Sequence, residues 1–431
     1  MTDCMKRVAA IDALRGVTIF AMILCASISF DANLPAWMFH CQTPPPTYEF
    51  QPEVRGLTWV DMVFPFFIFS MGAAFPFALR RRIAKGESIV SISLGILKRG
   101  VILALFALIL GNADAARSAQ CSPLWTGIFR LGVWLALFAA LLRTPKTAVN
   151  VAGWVALAAL MAVQQFVLKV PLSFAHNDII ILLLSVVSVL GSFIWLLTRD
   201  RLILRTLIWV AVAAAKVLGW DFPQYLVIAI PASIIGDIIM NGSGTGAGLT
   251  RKSLADTVQA FIALAAVILQ LWGLFTRNVT ADLCISVVLA VAFILLSGRD
   301  AFSVTGRIGF MLLISGVAWD PLDGGLAKDY CNLSYLLVTG GQTALTLAFL
   351  MWCESRGALS RNLTYAGQNP MIAYTAGWFV IAPLFYLCGF DAFDKLCIGA
   401  PFPGVVHGLI VTLSTVAFTC LFTRLKIFWK S

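Results

Sequence analysis

About fourteen apolar segments, each near the length that crosses a bilayer, recur along the 431 residues. They cover roughly residues 8–30, 57–78, 100–112, 124–142, 147–168, 178–197, 205–219, 224–241, 254–275, 280–297, 306–319, 333–352, 369–388 and 403–423. Lipid offers the backbone no hydrogen-bond partners, so each run must close its own bonds as a helix. The fold class that follows is an all-α polytopic membrane protein of about eleven to fourteen transmembrane helices. The third, seventh and eleventh runs are short and read as tilted, broken or re-entrant. Composition agrees: 60% of residues are hydrophobic and 12% charged, against roughly 25% charged in a soluble domain. The formal charge of +10 would suggest nucleic acid in a soluble chain. Here it has to be read loop by loop, and the partner it implies is a lipid bilayer. With no linker, low-complexity tail or solenoid repeat, residues 1–431 read as a single membrane domain.

Placing the N-terminus in the cytoplasm and alternating sides puts about three quarters of the 31 basic residues on the cytoplasmic face. Among them are Lys6, Arg7, Arg80, Arg81, Arg82, Lys98, Arg99, Arg251, Lys252 and Lys430. Basic residues resist translocation, so the asymmetry supports the alternation. The first run carries Asp12 and Arg15 and has no small-residue cleavage site, so it reads as a membrane helix. The longest loop on the other face is residues 31–56, stiffened by Pro44, Pro45 and Pro46.

Residues 56–82 read GLTWVDMVFPFFIFSMGAAFPFALRRR, an apolar span with Asp61 near one end and three arginines at the other. A charge kept inside such a span costs roughly 2.5 to 3.5 kcal/mol on insertion scales and marks a functional site by default. Asp61 then lies near the outer face, at the end of the loop that contains His40. Histidine suits a general base because its ordinary pKa lies near neutrality, and a carboxylate can orient its ring. The plainer reading makes His40 an interfacial loop residue and Asp61 a helix N-cap. Spacing alone favours that plainer reading.

Other residues are candidates of a weaker kind. Asp12 and Arg15 share a helix face, as a structural ion pair or as a meeting point for phosphates. Arg130 lies inside a span and needs a carboxylate, a carbonyl cluster or an anionic ligand, for which Asp237 and Asp61 are candidates. His176, beside Asn177 and Asp178, reads as part of a cap, and His407 as a buried histidine. Cys41, Cys121, Cys331 and Cys397 fall on the outer face, where an oxidising compartment permits pairing; as small apolar residues they fit equally well. No cysteine or histidine spacing typical of a metal site occurs. Outer-face aromatics and acids, including Asp391 and Asp394, suit both a sugar site and an interfacial belt.

The run Ala10 to Gly16 (AIDALRG), then a membrane helix, a histidine, Gly56-Leu57-Thr58 and Asp61 to Phe67 (DMVFPFF) with Met71-Gly72, resembles the transmembrane acyltransferases related to heparan-alpha-glucosaminide N-acetyltransferase. The closer similarity is to their bacterial relatives, classed as a domain of unknown function. Weaker echoes follow in order at residues 127–132, 225–237, 328–335 and 367–374, and residues 1–82 are the most specific part. Two features depart from the family pattern: Gly56 follows His40 by sixteen positions across a proline-rich insertion, and Ala26 stands where the family has an asparagine. The resemblance reverses the balance at His40. It implies transfer of an acetyl group from cytosolic acetyl-CoA, a co-substrate, to the amine of an amino sugar or glycan outside. His40 and Asp61 would be catalytic, and Asp12, Arg15, Arg130, Asp237, Lys328, Ser334 and Asn369 would line the substrate pathway. The short chain, without eukaryotic extensions, suggests a bacterial inner membrane, and homo-oligomers stay open. Two other classes stay open: a secondary transporter of sugars or organic anions using Arg130 and Asp237, and an inactive membrane scaffold.

Overall fold

A computed structural model describes residues 8–115, 122–221, 223–244 and 253–429. Lys6, Arg7, Cys121, Arg251, Lys252 and Lys430, together with the side chain of Asp391, lie outside the described residues. The described chain is 76% helical without strands, and twelve helices are long and apolar enough to cross a membrane. Two further helices, Leu202–Val217 and Leu226–Gly244, account for the remaining expected segments.

Two of the three segments that look short in sequence are full spans. The third extends back to Ile89 as Ile89–Ala115, running through Lys98 and Arg99. Basic side chains of this length can carry their charge toward water while their stems stay on apolar surface. The eleventh starts at Ala301, where the Asp300 side chain accepts from Ser303 N at 3.0 Å. Arg307 inside it donates back to the Gly298 carbonyl at 3.1 Å, so its charge does not end the helix.

The chain divides into two compact units, one of Met1–Thr18, Pro35–Leu97 and Val186–Thr364, the other of Ile19–Leu34, Lys98–Ser185 and Tyr365–Ser431. In the first, five helices matter for the site: α1 (Ala9–Ser27, through its first half), α2 (Val63–Ala84), α3 (Leu226–Gly244), α4 (Ala301–Trp319) and α5 (Leu333–Ser355). α5 is the core of this unit and packs on α4 and α2. In lipid, helices associate through close packing rather than through exclusion of water, which favours small residues at contacts. Gly341 of α5 meets α4 so closely that a Cβ there would lie 2.7 Å from the Gly309 carbonyl oxygen. Gly72 of α2 meets α3 in the same way, 2.6 Å from the Ala229 oxygen.

α5 also sets the polarity of the unit. Its 23 residues span about 33 Å. At its C-terminal end the Glu354 carboxylate accepts from Ala9 N at 3.1 Å and Ala10 N at 2.8 Å, satisfying orphan donors at the start of α1. At its N-terminal end Tyr335 donates to the backbone oxygen of Asp61 at 2.8 Å. The beginning of α1 and the beginning of α2 therefore lie at opposite ends of α5.

In the second unit, Pro123–Leu141 packs on Thr147–Phe166, where Asn150 donates to the Ala139 and Leu142 carbonyls at 2.9 and 3.0 Å. Trp134, Phe138, Phe418, Phe422 and Trp429 form one aromatic cluster. Trp134 donates to Thr375 Oγ1 at 3.0 Å. Three of the four cysteines considered for pairing, Cys41, Cys331 and Cys397, are buried free thiols; Cys121 is outside the described residues.

Candidate functional site

The sixteen-residue separation between His40 and Gly56 closes up in space. Gln51 N donates to Gln42 O at 2.8 Å and the Gln42 amide to Val54 O at 3.2 Å. The proline-rich loop thus leaves and rejoins the chain at one point. Cys41 is brought beside Arg55, its thiol 3.7 Å from the Arg55 carbonyl, and Thr58 Oγ1 donates to Phe39 O at 2.8 Å. Gly56 is the residue this closure requires. Its φ of +135° is one that side chains avoid, and a Cβ would lie 3.0 Å from Cys41 Sγ. Its N–H donates to Leu326 O at 3.0 Å, joining the segment to the loop before α5.

Asp61 sits in a 3-10 turn, Val60–Met62, that leads into α2. Its Oδ2 accepts from Thr58 N at 3.0 Å and Cys41 N at 3.2 Å, and lies 3.1 Å from the Thr58 hydroxyl, whose one proton is shared with Phe39 O. The bond to Thr58 N is the returning half of a capping box. Its other oxygen, Oδ1, is 2.6 Å from His40 Nδ1. The Asp61 side chain has no exposure, whereas that of His40 is 39% exposed. A buried carboxylate held by backbone donors thus fixes one nitrogen of an open imidazole. A carboxylate accepts, so Nδ1 carries the proton and Nε2 presents its lone pair.

Lys328 completes the group. Its Nζ is 3.0 Å from His40 Nδ1, 3.4 Å from Nε2 and 3.7 Å from Asp61 Oδ1. The loop that presents it is held by its own acids and amides. Asp320 pairs with Arg277 at 3.0 and 2.9 Å and accepts from Leu326 N at 2.6 Å. Asn332 accepts from Ala327 N at 3.1 Å and donates to Gly325 O at 2.8 Å. Beyond Lys328, Tyr330 donates to Glu53 at 2.6 Å with the Arg55 guanidinium 4.8 Å over its ring. The hydrogen bond to Glu53 holds the Tyr330 phenol above its ordinary pKa. Burial, with the Asp61 charge, pushes the Cys41 thiol up to about 12, so the thiol beside the histidine stays protonated.

The other expected site residues have mainly architectural surroundings. Ser334 is at the start of α5, its N–H bonded to Asp323 at 2.7 Å and its hydroxyl to Asn332 at 3.2 Å. Asp12 and Arg15 pair at 3.4 Å, and Arg15 donates to Ser70 O, near the middle of α2, at 3.0 Å. They belong to the part of α1 that starts at the end of α5 remote from His40. Asp237 binds Arg205 at 2.6 Å, Trp195 Nε1 at 3.0 Å and Arg80 at 3.5 Å, and Arg80 is near the C-terminal end of α2, away from Asp61. In the second unit, Arg130 pairs with Asp114 at 2.6 Å, a partner not among those expected. Asn369 donates to Ile427 O at 2.7 Å, and His407 lies between Asp394 at 2.9 Å and Ser27 O at 3.2 Å.

Thr58 and Tyr335 were not picked out from sequence as part of the site. Thr58 carried a readable signal: Thr-x-x-Asp before an apolar run is a capping pattern. Tyr335 lies at the end of the 328–335 echo, but nothing marks it there as part of the site, because a tyrosine at the start of a span looks like any interfacial aromatic. Residues 7–224 match a family described as a domain of unknown function, DUF5009. No curated protein matches the chain.

Proposed function

The chain belongs to the DUF5009 family, and from that premise we propose that it is a transmembrane acetyltransferase, taking an acetyl group from cytosolic acetyl-CoA and delivering it to an amino sugar or glycan on the outer side of a bacterial inner membrane, with the N-terminus in the cytoplasm. The observation that carries this reading is the 2.6 Å contact between buried Asp61 and the half-open His40. A carboxylate that accepts from Nδ1 holds the imidazole in one tautomer and stabilises its cation once Nε2 has taken a proton. That is what acyl transfer asks of a general base. The sidedness rests on the basic residues at the end of α2 remote from Asp61. His40 takes the proton of the acceptor as its nitrogen attacks the thioester carbonyl, and returns it to the departing thiolate.

The test is to incubate the purified protein with isotopically labelled acetyl-CoA and a panel of amino sugars and glycans, beside His40→Ala, following label by mass spectrometry. Transfer that the variant loses by on the order of 10²- to 10⁴-fold is the expected result. No transfer to any acceptor, together with no binding of acetyl-CoA, overturns the proposal.

A further inference from the structure

We infer that the Lys328 ammonium holds the carbonyl oxygen of the acyl group as it passes from thioester to acceptor, an assignment that rests on the acyl-transfer reading above. Asp61 commits the Nδ1 proton of His40, so the reacting nitrogen is Nε2. Lys328 Nζ lies 3.4 Å from Nε2, on a side chain that is 27% exposed. In this tautomer Nδ1, 3.0 Å away, is a donor and offers Lys328 no lone pair. Among the described residues the nearest carboxylate oxygen to Nζ is Asp61 Oδ1 at 3.7 Å, beyond hydrogen-bond length. An ammonium with three donors is thus held beside the reacting nitrogen, one N–H reaching the Nε2 lone pair in the resting state and the other two without an acceptor among the described residues.

A group that gives its proton to Nε2 while attacking a carbonyl carbon brings the acyl group beside this ammonium, and a donor within about 3 Å of the developing oxyanion stabilises it. The step balances as follows. The acceptor's lone pair forms a bond to the acyl carbon, its proton moves to Nε2, and the C=O π pair moves onto oxygen, where Lys328 holds the negative charge. The oxyanion then re-forms the C=O bond, the C–S bond breaks, and the thiolate of coenzyme A takes the proton from the imidazolium. Lys328 is unchanged at the end. The placement does not depend on its own charge, because the loop is fixed by Asp320, Arg277 and Asn332.

The experiment compares wild type, Lys328→Met and Lys328→Ala for steady-state acetyl transfer, with thermal melting to establish folding and with small alkylammonium salts added to Lys328→Ala. We expect kcat to fall by about 10²- to 10³-fold in both variants. KM for acetyl-CoA should stay within threefold of wild type, and alkylammonium should restore part of the Lys328→Ala rate. A folded variant with kcat within threefold of wild type overturns the assignment. So does a loss that appears in KM alone or that alkylammonium fails to rescue. Should Lys328→Met not fold, Lys328→Ala with added alkylammonium decides in the same way. If the wild-type protein transfers no acetyl group, the acyl-transfer reading falls and this assignment with it, whereas active wild type with active variants removes only the role of Lys328.

Discussion

At the scale of single residues, Asp61 is not the helix N-cap of the plainer reading: it lies inside the turn into α2, where Oδ2 accepts from Thr58 N while Oδ1 holds His40 Nδ1. Asp61→Asn should therefore lower acetyl transfer by on the order of 10³- to 10⁴-fold, since an amide can present its NH₂ to the ring and select the wrong tautomer. Activity within tenfold of wild type in steady-state assays would count against the orienting role. Tyr335→Phe removes the donor to Asp61 O and strands a buried carbonyl, at about 1–3 kcal/mol, which thermal melting measures. The Cys41 thiol gives a pH prediction. Its folded value of about 12 is above the ordinary 9.0, so the related stability is fully present below 9.0 and is lost as pH rises through about 12. Melting temperatures of Cys41→Ala and wild type should therefore diverge in the variant's favour between about pH 9 and 11; parallel curves would count against the buried thiol. Asp61 stands out in the sequence as a carboxylate at the edge of an apolar run, but spacing alone favours a plain cap, and it is the resemblance that makes it and His40 site candidates. Lys328 was legible only through resemblance, since 288 residues separate it from His40 in sequence and spacing has no reach over that distance.

At the scale of elements, the apolar runs were visible because a helix in lipid must be apolar over its whole length. What composition hides is where a helix tolerates charge. The run taken as 100–112 is a 27-residue helix containing Lys98 and Arg99. Helix contacts are less legible still, because a glycine in a span reads the same whether it faces lipid or a neighbour. Gly341 faces α4, and a Cβ there would also lie 2.5 Å from Leu313 N. Gly341→Ala should cost about 1–3 kcal/mol by forcing α4 and α5 apart. An equilibrium unfolding measurement in detergent checks this, and an unchanged midpoint would show that the pair relaxes freely.

At the scale of the whole molecule, the proposed sidedness predicts a labelling pattern. A cysteine placed at Glu53 or Tyr330 should react with a membrane-impermeant maleimide from outside intact cells. One placed at Arg356, just past α5 at its other end, should react only after the membrane is opened. The reverse pattern would invert the topology and remove the route from cytosolic acetyl-CoA to an outer acceptor. Gln51 N and the Gln42 amide tie the loop off at its neck, and Thr43 and Tyr48 anchor it to the His40 carbonyl and the Phe39 ring, so only its exposed tip, Pro46, Thr47, Glu49 and Phe50, can be exchanged without shifting His40 or Thr58. Such a tip is a replaceable cassette: its chemistry is open to drift while the geometry around His40 stays put, so in the proposed enzyme the choice of acceptor can change here without a change of reaction.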